Sequence, residues 1–175
     1  QPTSGPGGSH SGLMAWATNL TGNYFDGENG YIQSPAIDLS AFAGQPLTLA
    51  WWQYLNVESG FDYGSVDVSR DGGASWTTVM GPATGAVNTT WTEQVRELDG
   101  TFAVSDFRIR FRMTTDSSVV YPGFYVDDVS ISSTSSVCDM TAGGLVFGQV
   151  RDLNAGEGSV DALVSGGADG DASTY

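Results

Sequence analysis

Val66-Asp67-Val68-Ser69-Arg70-Asp71-Gly72-Gly73-Ala74-Ser75-Trp76 is the stretch that decides the fold class. Val66 and Val68 alternate with Asp67 and Ser69, the period of two that a half-buried strand shows. Asp71, Gly72 and Gly73 follow at once, and glycine supplies the positive φ of a tight turn without a Cβ clash. Trp76, Thr77, Thr78 and Val79 then resume with strand formers. The stretch reads as a β-hairpin.

Working outward, residues 47–54 place Leu47, Leu49, Trp51 and Gln53 on one face and Thr48, Ala50, Trp52 and Tyr54 on the other. Aromatic rings on both faces predict a central strand. Further on, Phe107, Ile109, Phe111 and Met113 alternate with Arg108, Arg110 and Arg112, which predicts a strand with its apolar face inward. Additional strands are expected at 13–19, 91–95 and 123–131, and a short one at 31–39 that Pro35 relegates to an edge or a bulge. Residues 40–44 read as a single turn. The stretches 1–12, 20–30, 56–64, 80–89 and 116–122 read as loops. Many short strands without an amphipathic helix predict an all-β chain, a two-sheet antiparallel β-sandwich of jelly-roll type.

The composition narrows the function. Twenty Asp and Glu face six basic residues, all Arg, for a net charge of −14. Nucleic acid is an unsuitable partner, because phosphate binding needs a basic face. An acidic, lysine-free surface suits an extracellular, salt-tolerant or calcium-rich setting. There is no apolar run of membrane-spanning length. The first residue is Gln1 and not Met, so processing is expected to have removed what preceded it. Cys138 is the single cysteine and has no internal disulfide partner. Ser132-Ser133-Thr134-Ser135-Ser136 reads as linker. Beyond it, 144–150 and 160–165 read as two strands, too few for an independently stable unit. The expected organisation is a jelly-roll domain at 1–131, a linker at 132–142, and a partial second β-domain or assembly tail at 143–175.

The hairpin fits Ser-x-Asp-x-Gly-x-x-Trp and resembles the Asp-box of sialidase propellers and secreted bacterial β-domains. That resemblance implies structural roles for Asp71, Gly72, Gly73 and Trp76, with the Asp bonding the turn backbone and the Trp packed beneath. Residues 4–131 resemble the jelly-roll domain appended to secreted bacterial peptidases of the immune inhibitor A type, akin to MAM and gingipain adhesin domains. The matching stretches are His10-Ser11-Gly12 with Trp16-Ala17-Thr18-Asn19, Ser34-Pro35-Ala36-Ile37-Asp38-Leu39, Ser59-Gly60-Phe61-Asp62-Tyr63-Gly64, Asp71-Gly72-Gly73 to Trp76, Arg110-Phe111-Arg112 with Thr115-Asp116, and Tyr121-Pro122-Gly123 with Asp127-Asp128-Val129. The usual opening strand of such domains is missing. Residues 143–165 resemble the start of a carboxypeptidase-regulatory-like domain. Both ends are therefore expected to be cut from a longer polypeptide, with an unpaired sheet edge that invites strand addition from a partner.

Calcium is the best-motivated ligand, since it takes several carboxylate and carbonyl oxygens from loops. Side chains alternate along a strand, so of the adjacent Asp127 and Asp128 one must face inward or sit at a bulge. A buried carboxylate then needs a cation or several donors. The MAM and gingipain resemblance also implies a metal near this pair. Asn19, Asp26, Glu28, Glu58, Asp62 and Asp116 are candidate contributors. The alternative is that Asp127 and Asp128 cap loop amides or pair with Arg108 or Arg112. His10, the single histidine, lies in a Gly/Ser loop that offers no held, oriented imidazole for a catalytic triad. Zinc would need more than one His and one Cys. Glu58 and Asp62 as a glycosidase pair are outweighed by solvation or metal binding. Trp51, Trp52, Tyr54, Trp91 and Tyr121 could stack on sugars but read mainly as core, while Tyr24 and Phe25 are the better exposed contacts. The sequons at Asn19 and Asn88 carry little weight.

The expected function is a non-catalytic, secreted or cell-surface module of a larger peptidase or surface protein, serving stability, assembly or substrate attachment. Its partners would be other domains or fragments of the same precursor, a homo-oligomer or filament, or a glycan or protein surface. The rival readings are a structural subunit joined by strand exchange and a carbohydrate-binding module.

Overall fold

The computed structural model describes residues 4–133, together with 164–165 and 172–173. The chain divides into two compact units, Gln1–Ser135 and Ser136–Tyr175. In the first, eight strands form two four-stranded antiparallel sheets. They are β1 (Trp16–Ala17), β2 (Asn29–Gln33), β3 (Leu47–Asn56), β4 (Tyr63–Ser69), β5 (Thr77–Ala83), β6 (Ala86–Leu98), β7 (Arg108–Thr114) and β8 (Gly123–Ser133). The sheet orders are β1-β8-β3-β6 and β2-β7-β4-β5, the strand arrangement of a jelly roll. In the second unit, β9 (Val164–Ser165) pairs antiparallel with β10 (Ala172–Ser173). The expected strand at 144–150, Cys138 and most of the expected linker lie outside the described residues.

The core forms where the inner faces meet. Leu47, Leu49, Trp51 and Leu55 of β3 and Phe124 and Val126 of β8 pack against Val66, Val68, Phe107, Ile109, Phe111 and Met113 from the other sheet. The Trp51 and Phe111 ring centres are 6.0 Å apart at 71°, and Phe111 and Phe124 are 6.1 Å apart at 72°. Edge-to-face contacts of this kind add to the burial term. Gln53 is wholly buried but satisfied: its Oε1 accepts from Trp51 Nε1 at 2.8 Å and its Nε2 donates to Asn88 Oδ1 at 2.6 Å. Gly64 lets the sheets approach closely, since a Cβ there would lie 2.9 Å from Leu55 Cδ1 in the facing sheet and the leucine would have to shift.

The hairpin turn is as its sequence predicts. Asp71 Oδ1 accepts from Ser69 Oγ at 2.7 Å and from the Ser75 N–H at 2.8 Å. The Ser75 hydroxyl, followed by the Ser75 amide and the Ser69 hydroxyl, holds the Asp71 carboxyl down at about 2. Gly72 and Gly73 both have positive φ, and a Cβ on Gly73 would sit 3.3 Å from the Trp76 ring.

Several boundaries differ from expectation. The strand at 13–19 shrinks to Trp16–Ala17, because Leu13 is 97% and Met14 85% exposed and nothing packs on them. The strand at 31–39 is Asn29–Gln33 plus a bridge between Ile37 and Phe107, with β2 at a sheet edge as Pro35 suggests. The loop expected at 80–89 is instead the end of β5 and the start of β6. Gly81 and Pro82 read as breakers, yet β5 is an edge strand and tolerates them. Strand β8 also runs on through Ser132 and Ser133, opposite Thr48 and Leu47, into what composition assigns to linker. Residues 40–42 form one 3-10 turn.

Phe124→Ala is expected to cost about 3–5 kcal/mol in urea unfolding, as a buried ring in a packed core does. Phe25→Ala, at an exposed loop position, is expected to stay within about 0.5 kcal/mol.

Candidate functional site

Three loops at one end of the sandwich converge. Glu58 and Asp62 lie between β3 and β4, Asp116 lies between β7 and β8, and Tyr24 reaches in from the β1–β2 connection. Glu58, Asp62 and Asp116 each offer a carboxylate oxygen, all within 4.8 Å of one another. Asp62 is fully buried. Its Oδ1 accepts from the Asp116 N–H at 2.8 Å and its Oδ2 from the Tyr24 hydroxyl. The Tyr24 oxygen in turn accepts from the Glu58 N–H at 3.1 Å. Burial, then the bond to Asp62, pushes the Tyr24 hydroxyl above the normal phenol range, so it stays a neutral donor.

Glu58 is the unbalanced member. Its Oε2 atom is buried and has no hydrogen-bond partner. Desolvation, then the charges of Asp116, Asp62 and Asp26, raises its carboxyl above the ordinary glutamate value. No cationic side chain answers these charges among the described residues, whose ion pairs lie at His10–Asp128, Arg108–Asp106 and Arg110–Asp67. A hard divalent cation fits this donor set, because it would give the buried Glu58 oxygen a partner and offset the clustered charge.

The adjacent pair Asp127 and Asp128 lies elsewhere. Between Ala50 and Trp52 the β3–β8 register shifts and Asp128 has φ 46°, so a bulge relieves the alternation. Both carboxylates serve the N-terminal segment. Asp127 Oδ2 accepts from the His10 N–H at 2.8 Å and the Ser11 N–H at 3.2 Å, while Asp128 accepts from the Ser11 hydroxyl at 2.6 Å and faces His10 Nδ1 at 2.6 Å. Arg108 and Arg112 do not pair with them; Arg108 holds Asp106 and Arg112 bonds Asn29. Asn19 does not join the acidic cluster either, since its side chain closes its own turn onto Thr21 and Asn23.

Two expectations are corrected. Tyr24 is not an exposed contact: it is 1% exposed, because its hydroxyl finds partners inside, whereas Phe25 is 64% exposed. His10 is not loosely held. Its ring stacks on Trp52 at 3.7 Å and 12°, and Trp91 meets it edge-on at 6.1 Å. Trp91 Nε1 donates to the Gly8 carbonyl at 3.2 Å, so the outward-facing tryptophans of β3 and β6 seat the N-terminal segment. Trp51 is core and Tyr54 packs on Tyr125, leaving Tyr121 as the exposed ring of that set.

No protein-family model matches the chain. Bacillopeptidase F of Bacillus subtilis (strain 168) is 32% identical over 135 residues, which is 77% of this chain and 9% of that protein. The chain is homologous to a segment of Bacillopeptidase F. It spans less than a tenth of that relative's length. Among solved structures, Family 16 Carbohydrate Binding Module-2 aligns with TM-score 0.46 and 17% identity, over 74% of this chain and 83% of that one.

The bonds from His10 and then Ser11 hold the Asp128 carboxyl below its ordinary value. A depressed carboxyl stabilises the fold above its unfolded value and loses that contribution as pH falls through the lowered folded value. Release of the N-terminal segment, followed by Trp52 fluorescence, is expected with a midpoint below the usual aspartate range. In Asp128→Ala the segment is expected to be loosened already at neutral pH, with Asp127, Trp52 and Trp91 still holding it.

Proposed function

We propose that the chain is a non-catalytic jelly-roll module of a larger secreted peptidase or surface protein, and that a divalent cation, calcium by its donor set, stiffens the loop end. The observation that supports the first part is homology to a segment making up 9% of a peptidase. A stretch of that size at 32% identity, folded as a sandwich with its own core, has the character of a domain appended to catalysis. The module would comprise the first unit, Gln1–Ser135, which includes the whole of β8, with Ser136–Tyr175 as a second unit. No helix among the described residues is long and apolar enough to cross a membrane.

Glu58, Asp62 and Asp116 would hold the cation, with backbone carbonyls and water completing the shell that calcium demands. The cation would supply no chemistry beyond charge, tying the β3–β4 and β7–β8 loops together, with the Tyr24 loop joined through Asp62. Tyr24 would act as a spacer, fixing Asp62 through its neutral hydroxyl.

The module reading is tested by replacing the matching segment of Bacillopeptidase F with this chain. The chimera is expected to keep kcat/KM on a small peptide and to recover the yield and thermal half-life that deletion of the segment removes. Loss of small-peptide hydrolysis in the chimera would contradict a non-catalytic role.

Calcium at about a hundred times its Kd is expected to stabilise the chain by about 2.7 kcal/mol, read as a rise in Tm. Glu58→Gln is expected to abolish the rise, and a Tm indifferent to calcium would overturn the cation site. In chelator the Glu58 carboxyl is expected to titrate above its ordinary value of 4.5, so that the stability tied to its neutral form is lost as pH rises through that point. Bound cation reverses the sign and draws the midpoint down, which carboxyl-carbon NMR reads directly.

A further inference from the structure

We propose that the outer face of the β2-β7-β4-β5 sheet binds a carboxylated sugar, with Arg112 receiving the carboxylate. Strand register lays this face out as a grid. Asn29, Thr114 and Tyr63 form one row, Tyr31, Arg112 and Ser65 the next, and Gln33, Arg110 and Asp67 the third. An open groove of about 340 Å³ lies over the β7 and β4 residues of these rows and is rimmed by Trp76, with the β2 residues beside it and outside its lining.

The two central arginines differ in how their charge is met. Arg110 Nε donates to Asp67 Oδ2 at 2.8 Å, and its guanidinium lies 4.2 Å from the Trp76 ring centre and 5.7 Å from that of Tyr31. It is neutralised and clamped. Arg112 donates to the neutral Asn29 Oδ1 only, at 3.0 Å from Nη2 and 3.4 Å from Nε, and it has no carboxylate partner among the described residues. A chain of net charge −14 has carboxylates to spare, yet the centre of this face holds a guanidinium fork with no carboxylate against it and only part of its donors used. Such a fork is matched geometrically by a carboxylate. Long-range repulsion between an acidic chain and an acidic ligand is screened beyond about 8 Å at physiological salt, so the local cation governs the contact.

The surroundings select a sugar over a peptide. Tyr31, next to Arg112 in its row, is 57% exposed and offers a flat ring for the C–H face of a pyranose. The hydroxyls of Ser65 and Thr114, which flank Arg112, have no hydrogen-bond partner among the described residues and can meet ring hydroxyls. This is the face of a sheet, not its edge, so it presents no open backbone ladder for an extended peptide to join. The ligand class is therefore a uronic acid residue within an acidic polysaccharide. This names a ligand that the accessory-module reading leaves open. Its failure would leave that reading standing, since the peptidase chimera is scored on catalysis and yield.

The test is calorimetric titration of the full 175-residue chain with a short oligogalacturonate, its methyl ester and an oligoglutamate. Wild-type chain is expected to bind the oligogalacturonate, and methyl esterification and Arg112→Gln are each expected to weaken it by at least about tenfold. Tyr31→Ala, at an exposed edge-strand position, is expected to weaken it several-fold at unchanged Tm. It carries the test if Arg112→Gln fails to fold. No binding by wild type, equal affinity for the ester, equal affinity for the oligoglutamate, or full affinity in a folded Arg112→Gln would each overturn the proposal.

Discussion

The contact of Trp51 with Phe111, and of Phe111 with Phe124, is the constraint on which the structure depends. These rings come from the central strand of one sheet, a central strand of the other, and the strand that carries the Asp pair. Neither sheet has a stable alternative once its inner face is committed to this layer, because a slip of one residue in any strand would turn its apolar set outward. The loops at the sandwich end inherit their positions from that register. Glu58, Asp62 and Asp116 converge because β3, β4 and β7 end where the core makes them end.

Much of this was legible in the sequence where alternation was strict. The run 107–113 and the run 47–54 gave the two inner faces, and Asp71-Gly72-Gly73 gave the hairpin between β4 and β5. The strands misjudged were those whose limits depend on tertiary contacts. Leu13 and Met14 look like strand residues but find no surface to cover, while Gly81 and Pro82 look like breakers but sit on an edge that tolerates them. Local composition carries no record of which strand ends up at an edge.

The site was legible in part for the same reason. Asp127 and Asp128, adjacent on a strand, announced a departure from alternation, and the bulge at Asp128 is that departure. What they bond could not be read, because His10 and Ser11 approach from the far N-terminal segment. Glu58 and Asp62 were visible as a spaced pair in one loop. The burial of Tyr24 beneath them was not, since an aromatic in a Gly-rich loop gives no sign of the carboxylate its hydroxyl will meet. Arg112 reads in the sequence as an outward residue and a possible partner of the Asp127 and Asp128 pair; that it meets only the neutral Asn29 appears once Asp67 is seen to serve Arg110.

The dependence of the whole on the inter-sheet ring contact is tested most directly by a double-mutant cycle on Trp51 and Phe111, with each changed to Leu and stability measured by denaturant unfolding. A coupling energy of about 0.5–1.5 kcal/mol is predicted, as for aromatic pairs in edge-to-face contact. Strictly additive single and double variants would contradict it, and would mean that the two sheets are held together somewhere other than at this layer.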